Sequence, residues 1–315
     1  MLITPASLSA LFTTYDTRFS QAYAGFRLQP WSQELAMNMP SRTTTNVYAW
    51  LAKLPRMREW LGPRMVQNLT TRTYALKNKK FELTLGIQRE VLEDDQYDTY
   101  GTWMDMAAQQ AAKWPDQQVA PLLLNGHTGM FGPTYDGQNF FDTQHPVIPG
   151  SAGSAVQSNY FTSTPLNPYN YGIVRASMMT VAGEDSQSLG IVPTTLIVPP
   201  QLEAMAKTIV GSPNIGYGSL ATSDSNPAAI ANPYFGTAKV LMIPELASAP
   251  TTWYLADTSQ PIKPFLWQLR NAPEFTYRNQ LTDEHVFNTD EFLYGIRARG
   301  AAGFGLWFLI AKAVA

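Results

Sequence analysis

The chain has no cysteine and only three histidines among its 315 residues. Without thiols there is no disulfide framework, no Cys-ligated zinc and no thiolate nucleophile. His127, His145 and His285 lie too far apart for any two to share a helical turn, which excludes a His-Glu-x-x-His zinc helix. A Gly-x-Ser-x-Gly elbow and a Gly-x4-Gly-Lys-Ser/Thr phosphate loop are also missing, so two common enzyme signatures drop out. The single dinucleotide-like match, Gly216-Tyr-Gly218-Ser-Leu-Ala221, follows Ser212-Pro213-Asn214 rather than a strand and reads as a glycine-rich loop. No apolar run reaches the roughly 20 residues of a membrane span. The most apolar stretch, GFGLWFLIAKAVA, carries Lys312 and reads as a buried strand. At the start, MLITPASLSALFTTYDTRF has no positive lead, and Thr4, Pro5, Ser7 and Ser9 interrupt it, so no export signal is expected.

What is present is enough apolar material, 45%, for one large core or two smaller ones. Formal charge is −2, but it is unevenly spread. Residues 42–80 hold nine basic residues (Arg42, Lys53, Arg56, Arg58, Arg64, Arg72, Lys77, Lys79, Lys80) against Glu59 alone, a block of +8. Residues 81–116 reverse the sign: eight acids (Glu82, Glu90, Glu93, Asp94, Asp95, Asp98, Asp105, Asp116) against Arg89 and Lys113 give −6. Adjacent blocks of opposite sign imply internal pairing or a contact between copies.

Residues 1–45 show no sustained period and predict a partly extended arm, with a short helix near Ser7 to Phe19, that needs a neighbour to order it. A turn is expected at KNKK (77–80), after which Phe81, Leu83, Leu85 and Ile87 alternate with polar residues as a strand does. From Asp98 to Asn125 the spacing of Trp103, Met106, Ala107, Ala111 and Trp114 predicts a long helix, with a kink or break at Pro115. Loops and short strands follow to residue 172, then a small α/β unit: a helix at 171–182, a strand at 194–198 and a helix at 201–210. The long segment 211–236 carries one charge, Asp224, and reads as a functional or mobile loop. Strands resume at 239–243, 253–255, 265–270, 275–278, 292–299 and 306–311.

Candidate chemistry concentrates in YDGQNFFDTQHPV (135–147), where Asp136, Asp142 and His145 are of the types that bind metals or relay protons. One reading is therefore a metal-dependent hydrolase. A second is a nucleic-acid-binding module over residues 42–80, with Tyr48, Trp50, Trp60 and Tyr74 as stacking candidates, against which the −6 block weighs. The third is structural. Asp136-Gly137 is a turn signal, His145-Pro146 ends the excursion extended, Phe140 and Phe141 pin the loop to the core, and Asn139, Asp142 and His145 satisfy local backbone groups.

Several segments together favour the third: ITPASLSAL, NVYAWLAKLPRMREWLGPR, FELTLGIQREVLEDDQYDTYG, YDGQNFFDTQHPV and, most clearly, DEHVFNTDEFLYGIRARGAAGFGLWFLIAKA. They resemble the major head subunit of Mu-like phages and prophages across nearly the whole chain, least clearly over residues 150–265. The resemblance implies an α+β protein with the Hong Kong 97-type capsid fold: an N-terminal arm (1–45), an extended loop (46–82), a peripheral domain (83–150) with a spine helix at about 98–125, an axial domain (151–264), and return strands (265–315). It implies a non-enzymatic shell protein of the virion, without cofactor or membrane, assembled in the bacterial host cytoplasm. Its partners would be copies of itself as pentamers and hexamers, portal, scaffold and decoration proteins, and packaged double-stranded DNA held by weak non-specific contact. The expectation is also that no scaffolding segment is cleaved from Met1 and that Lys77, Asn78, Lys79 and Lys80 form no covalent crosslinks. In such shells the extended loop of one copy lies over the next. Arg42, Tyr48, Trp50, Lys53, Arg56, Met57, Arg58, Trp60 and Arg64 would then meet Glu90, Glu93, Asp94, Asp95 and Asp98 of a neighbour.

Overall fold

Thr4, Pro5 and Ser7, which interrupt the apolar opening of the chain, start a helix there. Thr4 Oγ1 accepts the Ser7 backbone N–H at 3.1 Å, Ser7 Oγ accepts the Thr4 N–H at 2.8 Å, and Pro5 sits where a missing N–H costs nothing. The structure, a computed structural model, describes residues 4–27, 30–51, 71–94, 99–151, 153–184, 186–216, 229–278 and 280–315. The chain begins with α1 (Pro5–Phe26) and α2 (Ser32–Leu35), then β1 (Ala36–Pro40), β2 (Thr45–Leu51), β3 (Thr71–Lys77), β4 (Lys79–Gln88), α3 (Arg89–Glu93) and α4 (Thr99–Asn125). Short strands β5 (His145–Pro146), β6 (Val156–Gln157) and β7 (Tyr160–Phe161) lead to α5 (Pro168–Met179), β8 (Thr195–Val198) and α6 (Glu203–Gly211). Next come β9 (Asn214–Gly216), β10 (Ala229–Ala231), β11 (Lys239–Met242) and β12 (Thr252–Ala256), and the chain ends with β13 (Phe265–Arg278), α7 (Glu284–Thr289), β14 (Glu291–Phe304) and β15 (Ile310–Val314).

Two mixed sheets carry the fold. One has the order β1-β13-β14-β4, with β1 parallel to β13 and the rest antiparallel. The other has the order β11-β8-β12-β15-β7, with parallel pairs at its two edges. Strands β2 and β3 form a separate two-stranded sheet. The larger core joins the five-stranded sheet to the C-terminal half of α4, and a smaller one lies between α1, the N-terminal half of α4 and the far ends of β13 and β14. Helix α4 is thus the beam shared by both.

The start of the chain holds the helix expected near Ser7 to Phe19, but the helix is longer and needs no neighbouring copy to seat it. Helix α1 is 22 residues long and seats Leu8, Tyr15 and Phe19 in the smaller core of its own chain. Tyr15 meets Tyr294 edge-on at 5.5 Å, and Arg18 Nε donates to both carboxylate oxygens of Asp105 on α4, at 3.0 and 3.1 Å. Helix α4 does not break at Pro115 or Pro121. The neighbouring side chains hold it: Trp114 lies 4.6 Å edge-on to Trp267 and 5.0 Å from Phe81, and Val119, Leu122 and Leu123 are buried. Its buried face keeps Ala107 and Trp114 of the expected stripe and departs from it in the first turns. Met104, Ala107 and Ala108 point inward, while Trp103 and Met106 are 45% and 60% exposed.

The two late strands expected at 265–270 and 275–278 are one, β13, which absorbs register shifts between Leu269 and Asn271 and between Asn271 and Glu274. KNKK is no loop tip either. Asn78 alone separates β3 from β4, and it is buried.

Candidate functional site

The loop after α4 is built around a buried acid. Gly137 takes φ +88°, which an L side chain resists, and turns the chain so that the Asp136 carboxylate points inward. There its side chain is 0% exposed, as is that of His145. Asp136 Oδ2 lies 2.7 Å from His145 Nδ1, and Oδ1 accepts the Thr134 hydroxyl at 2.5 Å and the Gln138 N–H at 3.1 Å. Burial alone would raise the Asp136 carboxyl. The hydrogen bond and charge of His145, with the Thr134 and Gln138 donors, outweigh it and hold the carboxyl below its ordinary range.

The other face of the clasp comes from Asn159. Its Nδ2 donates to the carbonyls of Phe140, Trp307 and Ile310, at 2.9, 3.1 and 3.1 Å, which fixes Oδ1 toward the loop. That oxygen accepts the Asp142 N–H at 3.0 Å and lies 3.2 Å from His145 Nε2. Both ring nitrogens therefore face oxygens. The imidazole stacks on Trp307 at 3.9 Å and 5°. Phe140 and Phe141 are buried, with Phe140 stacked on Phe304 at 4.5 Å. Asp142 Oδ1 accepts the Gln144 N–H, and Pro146 pairs with Val156. Asn139 stands half-buried, and the backbone-satisfying role read for it falls to Asn159, which sequence reasoning missed.

An Asp-His pair has the look of an acid–base dyad, yet this one has no reach. His145 has both nitrogens engaged and no exposed surface, so no substrate atom can come within hydrogen-bond distance. Among the described residues no group of three or more His, Asp or Glu is placed to hold a metal ion. The arrangement joins the α4 exit to the start of β7 and to the 307–310 turn before β15. Its chemistry is that of a fastener.

A second buried charge was noted in the sequence only as an interruption. Lys312, 3% exposed on β15, donates Nζ to the Leu124 carbonyl at 2.7 Å and to His127 Nδ1 at 3.0 Å. It also faces the Phe141, Tyr160 and Tyr254 rings, at 5.6 to 5.9 Å. The ammonium thus caps the carbonyl end of α4, where the helix dipole favours a cation. Burial nevertheless pushes Lys312 down to about 8. Burial, then the Lys312 charge, lowers His127 below its usual value, which keeps its ring an acceptor.

The β2–β3 hairpin has its own anchor. Tyr48 Oη donates to Gln268 Oε1 at 2.7 Å, Gln268 Nε2 to Asn78 Oδ1 at 2.7 Å, and Asn78 Nδ2 to Ser41 Oγ at 2.8 Å. Gln268 is fully buried and Tyr48 8% exposed. Tyr48, read as an inter-subunit contact candidate, is instead committed within its own chain, because its hydroxyl is the donor that a buried amide needs. Replacing Gln268 with Leu strands both Tyr48 and Asn78, so a loss of about 1–3 kcal/mol is expected. Hydrogen exchange would show it as faster opening of residues 45–51 and 71–77, whereas unchanged protection there would contradict the anchor.

Other candidates fall as follows. Arg42, Glu90 and Asp94 are exposed. Glu93 pairs with Arg89 at 3.1 Å, Asp105 with Arg18, and Asp116 is buried, where it accepts the Ser32 N–H at 2.9 Å. The −6 block is therefore partly used inside the chain. Trp50 lies in β2, and Lys53, Arg56, Met57, Arg58, Trp60, Arg64, Asp95 and Asp98 lie outside the described residues, as do residues 217–228 of the 211–236 segment.

Comparison with known proteins gives these features their setting. The family model described as Mu-like prophage major head subunit gpT matches residues 8–169, 154–246 and 236–314. The major capsid protein of Escherichia phage Mu is 30% identical over 307 residues, 98% of this chain and 73% of that one. Among solved structures, a chain of the bacteriophage JBD30 procapsid is 29% identical with TM-score 0.62, covering 99% of this chain and 76% of that one. A chain of the JBD30 capsid decorated with minor capsid protein trimers is 25% identical with TM-score 0.56, covering 69% and 91%.

By its family and the capsid chains it matches, the molecule is a structural protein, a Hong Kong 97-type capsid subunit of the kind that forms the icosahedral head shell of tailed phages. The chain belongs to the Mu-like prophage major head subunit family. Hydrolase and nucleic-acid-module readings lose to this one, and the chain is a component of the virion.

Proposed function

We propose that the chain builds the head shell as pentamers and hexamers in which the extended loop, residues 46–82, of one copy lies over residues 83–150 of the next. The supporting observation is the β2–β3 pair, a sheet of its own that is tied at its base by Tyr48, Gln268 and Asn78 and carries Val47 63% exposed. In this scheme α4 is the spine of the peripheral domain, residues 151–264 form the axial domain, and residues 265–315 return through both. The arm of residues 1–45 is docked by α1 on the spine of its own copy. Exposed Glu90 and Asp94, with Asp95 and Asp98, face the basic residues Arg42, Lys53, Arg56, Arg58 and Arg64 of the neighbour, with Trp50, Met57 and Trp60 as anchors. Opposite fields favour loop-on-spine docking and disfavour loop on loop. Individual rim pairs contribute about 0–1 kcal/mol each, so the effect is collective.

A formal charge of −2 suits a container that holds packed double-stranded DNA without gripping it. The shell assembles in the host cytoplasm with scaffold and portal proteins, and the trimer-decorated JBD30 capsid supports a decoration partner as well. Among the described residues no helix is long and apolar enough to cross a membrane. Reversing Arg56, Arg58 and Arg64 together to Glu is expected to abolish shells in negative stain while the subunit keeps its circular dichroism. Normal shells from that triple variant would contradict the loop-on-spine contact.

A further inference from the structure

We propose that the tip of the β13–β14 hairpin seats Phe287 in a groove beside β3 of a neighbouring copy, a contact separate from the loop-on-spine one. It rests on the shell-forming reading and names a second surface within it. Phe287 is 86% exposed, more than any other large apolar side chain among the described residues. Its helix is not loose: Val286 is buried in the smaller core, which fixes α7 and turns Phe287 outward. Glu284 lies one turn away on the same face, and Asp283 precedes it at the helix start. The tip is thus an aromatic knob with an acidic collar.

The groove has the matching character. It holds about 580 Å³ between β3, the 130–134 segment and β14, with Tyr74, Leu76, Phe131 and Ala301 in its wall. Lys77 and Lys79 stand exposed on its rim with no ion pair among the described residues, and Met130 beside them is 73% exposed. The apolar groove beside α4, lined by Phe81, Leu83 and Trp114, carries Glu82 instead, the wrong sign for this collar. The knob cannot fold back onto its own chain. From Glu291 to Ala301, β14 runs ten residues between its two partner strands, roughly 34 Å at strand rise. Only another copy can supply the tip. The contact is then head-to-tail, the kind that repeats around rings and across shells.

A chain without cysteine permits a direct test. Asn288→Cys combined with Met130→Cys in the full chain, assembled and then oxidised, is expected to run as a ladder above the dimer in non-reducing denaturing electrophoresis. Each single variant is expected to stay monomeric. Unlinked chains from assembled double-variant particles would overturn the contact, and so would a dimer from Asn288→Cys alone, which means tip meets tip. Separately, Phe287→Ala, and Lys77→Glu with Lys79→Glu, are each expected to cut the assembled fraction about tenfold, the 1.4 kcal/mol scale of one such anchor. Adding Asp283→Lys and Glu284→Lys to the lysine variant is expected to restore it. Failure to restore, with every variant folded by circular dichroism, overturns the pairing. Absence of particles from the unaltered chain run alongside would contradict the shell reading itself, whereas particles without a ladder contradict this contact alone.

Discussion

His145→Ala is expected to lower the unfolding free energy of the subunit by about 3–5 kcal/mol, the usual result of stripping one partner from a buried ion pair. Removing the imidazole leaves the Asp136 carboxylate with no exposure and no counter-charge, removes a donor from Asn159 Oδ1, and bares the Trp307 ring. Against a whole-domain stability of about 5–15 kcal/mol, that is enough to deplete folded subunits before they reach a shell. The double variant Asp136→Asn, His145→Ala is expected to lose less than the sum of its parts, because it leaves no buried charge. Urea unfolding of unassembled subunits measures all three. A single-variant loss under about 1 kcal/mol, or strict additivity, would show that the pair is incidental.

Acid supplies an independent sign. In the native subunit the Asp136 carboxyl is held below its ordinary value of 3.8, so its contribution is complete above 3.8 and is lost as pH falls through the lower folded value. In His145→Ala, burial, the largest influence, is opposed only by the Thr134 and Gln138 donors and raises the same carboxyl. The folded variant then binds the proton more tightly than the unfolded chain does, and its stability recovers as pH falls toward 3.8. The gap between the two proteins therefore narrows on acidification, where a purely steric defect would leave it constant.

Local signals in the sequence expressed local structure, and long-range partners were silent. Asp136-Gly137 and His145-Pro146 announce a turn and an extended exit, and both are there because each depends on its own backbone. Asn159, which closes the clasp, is an ordinary asparagine in a loop until the 307–310 turn arrives from about half the chain away. Gln268 and Asn78 are 190 positions apart, and neither alone suggests a hairpin anchor. The charge blocks are partly used inside the chain, by partners just as silent. Arg18 lies outside the counted window yet takes Asp105, and Ser32 takes Asp116. At the N-terminus the signal was present and read for another purpose: Thr4, Pro5 and Ser7, taken only as interruptions of an apolar run, start and cap a helix. Helix α4 was visible in extent and, at Ala107 and Trp114, in its buried face, but not in its first turns. Large side chains at Trp103 and Met106 draw the apolar stripe toward themselves, while close helix packing takes in the small Ala108 beside Ala107.

Raising the pH from 8 to about 9.5 is expected to stabilise the subunit by about 2 kcal/mol, at 1.36 kcal/mol for each pH unit between the folded and unfolded lysine values. Lys312 is responsible. Its folded value of about 8 lies below the ordinary 10.5, so between these the unfolded chain holds the proton and the folded one has released it. Stability must then rise with pH across that window, and the buried ammonium is a cost at neutral pH. Tyrosines set the upper limit. Burial raises Tyr74, Tyr135, Tyr171 and Tyr254, so above about 10 the unfolded chain ionises first and stability falls again. Lys312→Met removes the charge and most of the slope from 8 to 9.5, but it leaves the Leu124 carbonyl at the α4 terminus without its 2.7 Å donor. At pH 7 these two effects oppose, relief of a buried charge against a bare helix end, and the variant is expected within about 1 kcal/mol of the native chain. Chemical denaturation at pH 7, 8, 9 and 9.5 separates them. A native chain whose stability is flat or falling from 8 to 9.5, or a Lys312→Met variant that keeps the rise, would remove Lys312 as its source.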